Sequence, residues 1–143
     1  MLNCVGGDET PRTSFLVARG ADAKRIVVLE LPPVPDAEAR LVDLLALYEL
    51  GGALPLPLFP KASRAQADFG HEKGWALDPA PVAVTAWENP WRIPPEKNDP
   101  YLRQAFRDVE VLAPGLALPG GETFVSLARR IYEPYLLARV EQT

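Results

Sequence analysis

Proline limits this chain more than any other residue. Sixteen of its 143 residues are prolines, most of them between Pro32 and Pro119, and each removes a backbone donor and fixes φ. Much of the middle must therefore be irregular, with regular elements fitted between the prolines. A chain of this length suits one domain around one core, since single cores commonly run to roughly 100 to 150 residues. Nearly half the residues are apolar and about a quarter charged, the balance of an ordinary globular protein.

The formal net charge of −4 argues against a surface given over to nonspecific phosphate binding, which normally gathers an excess of Lys and Arg. It leaves room for local basic patches. The single cysteine, Cys4, excludes an internal disulfide and suits a reducing compartment, so a cytoplasmic location is expected. No apolar run reaches the roughly 18 to 20 residues of a membrane span, and the N-terminus lacks the plan of a signal peptide. The segment Met1 to Gly7 reads as the tail end of an element, with Gly6-Gly7 as a helix stop, and the expectation is a chain that begins inside a longer protein.

Two β-rich runs, Ser14 to Arg19 and Arg25 to Leu31, are joined by the turn-prone Gly20-Ala21-Asp22-Ala23-Lys24 and predict an antiparallel hairpin. Asp36 then offers an N-cap oxygen. Helical spacing of Ala37, Leu41, Leu44, Leu45 and Tyr48 predicts a helix over Asp36 to Leu50, stopped by Gly51-Gly52. Leu54 to Pro60 alternates apolar residues with prolines, as in an edge strand or a polyproline-like crossing. A short helix is expected over Ser63 to Asp68, then a loop from Phe69 to Val84, with a short strand or helical turn near Val82 to Trp87. Trp87 to Trp91 and Ile93-Pro94-Pro95 read as an aromatic, proline-bound turn. Asp99-Pro100 opens a helix with apolar Tyr101, Leu102, Ala105 and Phe106. Beyond a loop over Pro114 to Gly121, Phe124, Leu127, Ala128 and Ile131 mark a last amphipathic helix, kinked or interrupted at Pro134 before Tyr135 to Val140.

The residues that could carry chemistry are few. His71, the lone histidine, sits beside Glu72 and Lys73 with no second histidine to share a metal, and reads as an exposed loop residue. No Gly-x-Ser-x-Gly elbow, Gly-x-Gly-x-x-Gly turn or P-loop occurs. The opening of two strands and a helix invites comparison with metal-dependent nucleases, in which a Pro-Asp pair precedes a strand bearing Asp or Glu, one spacer and Lys, so that carboxylates hold Mg²⁺ and lysine orients water. Here Pro35-Asp36 is present, but the only Asp-x-Lys, Asp22-Ala23-Lys24, precedes it and lies in a turn. Helix capping and a solvated turn account for both. No catalytic residue, metal ligand or cofactor is expected, and the chain is not expected to be an enzyme by itself.

Basic residues beside aromatics suggest nucleic-acid contact: Lys61 with Arg64, Trp91 with Arg92, Arg103 with Arg107, and Arg129 with Arg130. A single strand can stack on Trp87 or Trp91 and run past Arg92 and Lys97. The competing reading places the arginine pairs on the polar faces of amphipathic helices and the tryptophans as buried loop anchors.

Several blocks resemble a known family: Leu2 to Gly7, Phe15 to Arg19, Leu47 to Gly51, Leu54 to Ser63 (Leu-Pro-Leu-Pro-Leu-Phe-Pro-Lys-Ala-Ser), Trp87 to Asn89, Glu96 to Tyr101 and Phe124 to Leu136. Together they resemble the C-terminal end of the RecC (gamma) subunit of exodeoxyribonuclease V, and the Leu-Pro-Leu-Phe-Pro-Lys-Ala-Ser block is the most specific of them. The resemblance implies an α+β (α/β-like) chain forming part of a PD-(D/E)XK nuclease-like fold, catalytically degenerate, with a β-hairpin, several helices and proline-rich loops. It implies that residues 1–143 are one C-terminal fragment of that domain. It further implies RecB-like and RecD-like partner subunits, contact with duplex ends and single strands through the complex, and a role in DNA repair and recombination. The family's Gly-rich acidic run before the Asp-Pro helix start is replaced here by Pro94-Pro95-Glu96-Lys97-Asn98. A different class of function, a free-standing interaction module, would use the Leu54 to Pro60 strip.

Overall fold

An antiparallel hairpin opens the described structure. This computed structural model describes residues 13–19, 26–34, 36–88, 95–107, 110–117, 121–138 and 140–142. Strand β1 (Ser14–Arg19) pairs with β2 (Ile26–Leu31) in a register that sets Leu16 opposite Leu29 and Val17 opposite Val28. The expected hairpin is thus present, while its turn lies outside the described residues. A third strand, β3 (Val140–Gln142), pairs antiparallel with the other edge of β2, so the sheet order is β1-β2-β3. No pattern over three residues announces such a strand, and Val140 was expected to be helical; the open edge of β2 supplies the ladder. Mixed helices and an antiparallel sheet make the chain α+β.

Helix α1 (Ala37–Ala53) starts where Asp36 predicts, the Arg40 N–H donating to the Asp36 carbonyl at 3.0 Å. It runs past Gly51-Gly52, which were expected to stop it. Neither glycine takes a positive φ, so neither forms the left-handed cap that ends helices at glycine. Pro55 ends the helix instead, because the residue before a proline is pushed out of the α region. At Gly51 the missing side chain has a packing role, since a Cβ there would lie 3.3 Å from Leu56 Cδ1.

Two compact units divide the chain, residues 1–49 with 137–143 and residues 50–136. In the second, Pro55 to Phe59 cross without joining a sheet, and a tight turn about Pro57 is closed by the Leu58 N–H on the Leu56 carbonyl at 2.8 Å. The segment is thus an irregular crossing and not an edge strand. Pro60 occupies the first position of α2 (Pro60–Lys73), where the missing N–H costs nothing. This helix is longer at both ends than the expected Ser63 to Asp68. It passes through Gly70 because Trp75 packs on that bare backbone: a Cβ at Gly70 would come within 2.7 Å of the indole. Glycine here admits a close contact and does not break the helix.

The region expected to be mostly loop contains a second helix, α3 (Pro81–Glu88), which reaches Trp87 and Glu88. Buried Gln66 of α2 accepts the Ala80 N–H at 2.7 Å and so fixes the start of α3. Next come a 3₁₀ turn (Glu96–Asn98) and α4 (Pro100–Phe106), capped as expected by Asp99, whose carboxylate accepts from the Tyr101 and Leu102 amides at 2.9 and 3.2 Å. Of the expected apolar face, Leu102 and Phe106 pack on the core while Tyr101 is exposed.

The last helix, α5 (Phe124–Ala138), opens with a reciprocal cap: the Thr123 N–H donates to Ser126 Oγ at 2.7 Å and the Ser126 N–H to Thr123 Oγ1 at 3.1 Å. It continues through Pro134 without the interruption that was one of the two outcomes expected there. Buried Leu127 and Ala128 before the proline and Leu136 after it hold the helix by packing, which outweighs the one backbone bond that proline removes.

The core of this second unit gathers Phe59, Ala62, Ala83, Val111, Leu112, Phe124 and Val125. Phe59 is fully buried, its ring centroid 4.3 Å from that of Trp87, 5.5 Å from Phe106 and 6.1 Å from Phe124. The N-terminus of α2 above it has no side-chain cap from its own N-cap residue, Phe59. Glu96 supplies one from 34 residues away: Oε1 accepts from the Lys61 N–H and Oε2 from the Ala62 N–H, both at 2.8 Å. Ser63 Oγ accepts the Phe59 N–H at 2.9 Å, so the first-turn donors that a helix leaves open are taken up. A carboxylate at a helix N-terminus is also favoured by the dipole. Replacing Glu96 by alanine should lower unfolding free energy by about 2–4 kcal/mol, the cost of a lost cap plus two buried unsatisfied amides. Glu96→Gln, which keeps one acceptor, should lose less, and urea titration of both variants checks the order.

Candidate nucleic-acid contact site

Of the four residues expected to contact DNA, the structure describes two and brings them together. Trp87 ends α3 and Lys97 stands in the 3₁₀ turn, and both line one open depression of about 230 Å³. Trp91 and Arg92 lie outside the described residues. The same depression is bordered by Arg103 and Arg107 of α4, one helical turn apart, and by the carboxylates Glu88 and Glu110. Lys97 Nζ is 3.5 Å from Glu88 Oε1, a solvent-exposed pair of the kind that contributes little to stability.

Each element sets its side chain for a local reason. Glu96 is anchored on α2, so the adjacent Lys97 is held outward at the rim. Asp99 caps α4 and thereby sets the helix that carries Arg103. Arg107 ends α4 in the left-handed region at φ 48°, its N–H donating to the Arg103 carbonyl at 2.8 Å. A non-glycine residue there is uncommon. A second, shallower depression of about 480 Å³ lies against Pro100, Arg103, Gln104 and Arg107, so the two arginines border both. Three cations against two carboxylates leave the first depression with a slight positive excess.

Trp87 has a second role. It is half-buried and packs on Phe59, so part of the indole belongs to the core and part faces the depression. Arg103 and Arg107 were weighed in the sequence both as a nucleic-acid-contacting pair and as the polar face of a helix; their i, i+4 spacing behind the Asp99-Pro100 start was the signal that they share a side.

The other basic pairs are engaged. Arg64 Nε bonds Asp68 at 2.8 Å and its guanidinium lies 5.8 Å from the Tyr135 ring; the hydrogen bond to Asp68 raises its pKa above the ordinary arginine value. Arg129 is likewise raised by its hydrogen bond to Glu133 at 2.9 Å, and stands 5.5 Å from the Trp75 ring. Arg130 bonds Glu122 at 2.7 Å. These ion pairs are local to α2 and to α5 with the residues leading into it, and they fit the amphipathic-face reading.

His71 is exposed, on the last turn of α2 rather than in a loop. Asp22 and Lys24 lie outside the described residues, while Asp36 is exposed at the start of α1. Among the described residues no three His, Cys, Asp or Glu side chains gather as a metal site. Pro57 and Phe59 are buried, which removes those positions of the Leu54 to Pro60 strip from any exposed polyproline surface.

Residues 4–70 match the family model described as RecC C-terminal domain. Over that stretch the chain is similar to the RecC C-terminal domain. The match bears out the resemblance of β1, of the end of α1 and of the Leu54 to Ser63 block. It covers just under half of the chain, and the depression between α3 and α4 lies beyond its RecC-like stretch. No curated protein and no solved structure matches the chain.

The two tryptophan roles separate by mutation. Trp87→Ala should cost about 3–5 kcal/mol of stability, as expected for an aromatic removed from a packed core. The exposed Arg103→Gln should change it by no more than about 0.5 kcal/mol; thermal unfolding followed by circular dichroism checks both.

Proposed function

We propose that this chain is a noncatalytic scaffold and DNA strand-handling part of an exodeoxyribonuclease V (RecBCD) helicase–nuclease complex, acting in double-strand break repair and recombination. The observation that carries this reading is the RecC C-terminal domain match over residues 4–70. In it, residues 1–143 are one fragment of a nuclease-like domain whose cleavage chemistry has been lost. The β1–β2 hairpin followed by α1 supports that fold assignment, and the misplaced Pro35-Asp36 and Asp22-Ala23-Lys24 support the loss of chemistry.

The partners are RecB-like and RecD-like subunits, and the nucleic acid is a duplex end and the single strands released from it. A bacterial cytoplasmic setting goes with that role; among the described residues no helix is long and apolar enough to cross a membrane. The strand contact belongs at Trp87, Lys97, Arg103 and Arg107; Trp91 and Arg92, the other two expected contacts, lie outside the described residues. An indole face accepts any base, and a cluster of cations follows the backbone without reading sequence, as strand handling requires.

A complex purified with this segment deleted from its RecC-type subunit should fail to assemble or should lose ATP-dependent unwinding of blunt duplexes. Helicase and nuclease activities that survive the deletion intact would refute the proposal.

A further inference from the structure

The outer surface of α1 has an unusual composition for a helix in a small protein. Leu41, Leu44, Leu45 and Tyr48 recur at i, i+3, i+4 and i+7, the spacing that places side chains in one stripe along a helix. All four are exposed, from 39% for Leu44 to 81% for Tyr48, and Val42 beside them is 61% exposed. Of the helix's two buried residues, Ala37 continues the stripe at its N-terminal end and Leu47 lies to one side of it. A continuous exposed apolar stripe of this kind marks an interaction surface.

Charge around the stripe selects the occupant. Glu38 and Glu49 are both exposed, eleven residues apart, which is three helical turns and about 16 Å along one side of α1. The one basic residue between them, half-buried Arg40, lies on the opposite side of the helix from both glutamates. A second copy of this helix is disfavoured in either direction: antiparallel pairing sets Glu38 against Glu49 twice, and parallel pairing sets each glutamate against itself. An anionic lipid surface is repelled by the same two charges.

We infer that α1 docks an amphipathic helix of another protein chain, one that presents an apolar stripe to Leu41, Leu44, Leu45 and Tyr48 and basic residues to Glu38 and Glu49. Apolar burial supplies the affinity of such a helix-in-groove contact and the two glutamates supply its selectivity. The inference rests on α1 alone and is independent of strand contact at Trp87 and Lys97.

The test uses the full chain and two fluorescein-labelled synthetic helices with the same leucine stripe, one bearing lysines eleven residues apart and the other glutamates. Anisotropy should show the lysine peptide binding about tenfold tighter or more. Leu45→Asp should abolish binding with the circular dichroism spectrum unchanged, and Glu38→Lys with Glu49→Lys should reverse the preference. Equal affinity for both peptides, binding to neither, a preference unmoved by charge reversal, or self-association in sedimentation that Leu45→Asp removes would each overturn it.

Discussion

The carboxylate of Glu96 at the N-terminus of α2 is the contact on which the second unit is organised. Three elements meet there. It takes up two amides of the α2 first turn, directly beside Phe59, the fully buried ring around which Trp87, Phe106 and Phe124 pack. It also fixes the 3₁₀ turn to which it belongs, and that turn places Lys97 at the rim and Asp99 at the start of α4. A buried carboxylate without such partners would be strongly destabilising; here each oxygen has one. The core and the candidate strand contact therefore depend on the same side chain.

Local signals in the sequence led to the right structure wherever the deciding interaction was itself local. Asp99-Pro100 opened a helix, Asp36 preceded another, and the Ser14 to Leu31 hairpin followed from β-branched runs around a turn. Failures came where a distant partner decided. Gly70 reads as a break until Trp75 is seen against it, and Gly51 until Leu56 is. Pro134 reads as an interruption until the packing of Leu127 and Leu136 on either side is known. Glu96 lies 34 residues from the helix it caps, and no periodicity links the two.

The candidate site was partly legible for the same reason. Trp87 and Lys97 were recognisable as an aromatic beside a cation, and the structure sets them in one depression. That Arg103 and Arg107 join them follows from how α4 leaves its Asp99 cap. The arginines at positions 64, 129 and 130 looked equivalent in sequence, but carboxylates one or two turns away occupy them. The remaining positive excess sits where α3, the 3₁₀ turn and α4 converge, close to the aromatic core, and a chain of net charge −4 keeps it local.

The central claim is that these cations, positioned through Glu96, follow a nucleic-acid backbone. Its most direct test is the salt dependence of single-strand binding by the whole chain, measured by anisotropy with a labelled oligothymidine. Replacing Lys97, Arg103 and Arg107 together by glutamine should lower affinity and reduce the slope of log K against log salt by about 2, three contacts at roughly 0.7 each. A slope and affinity left unchanged by the triple replacement would contradict the account.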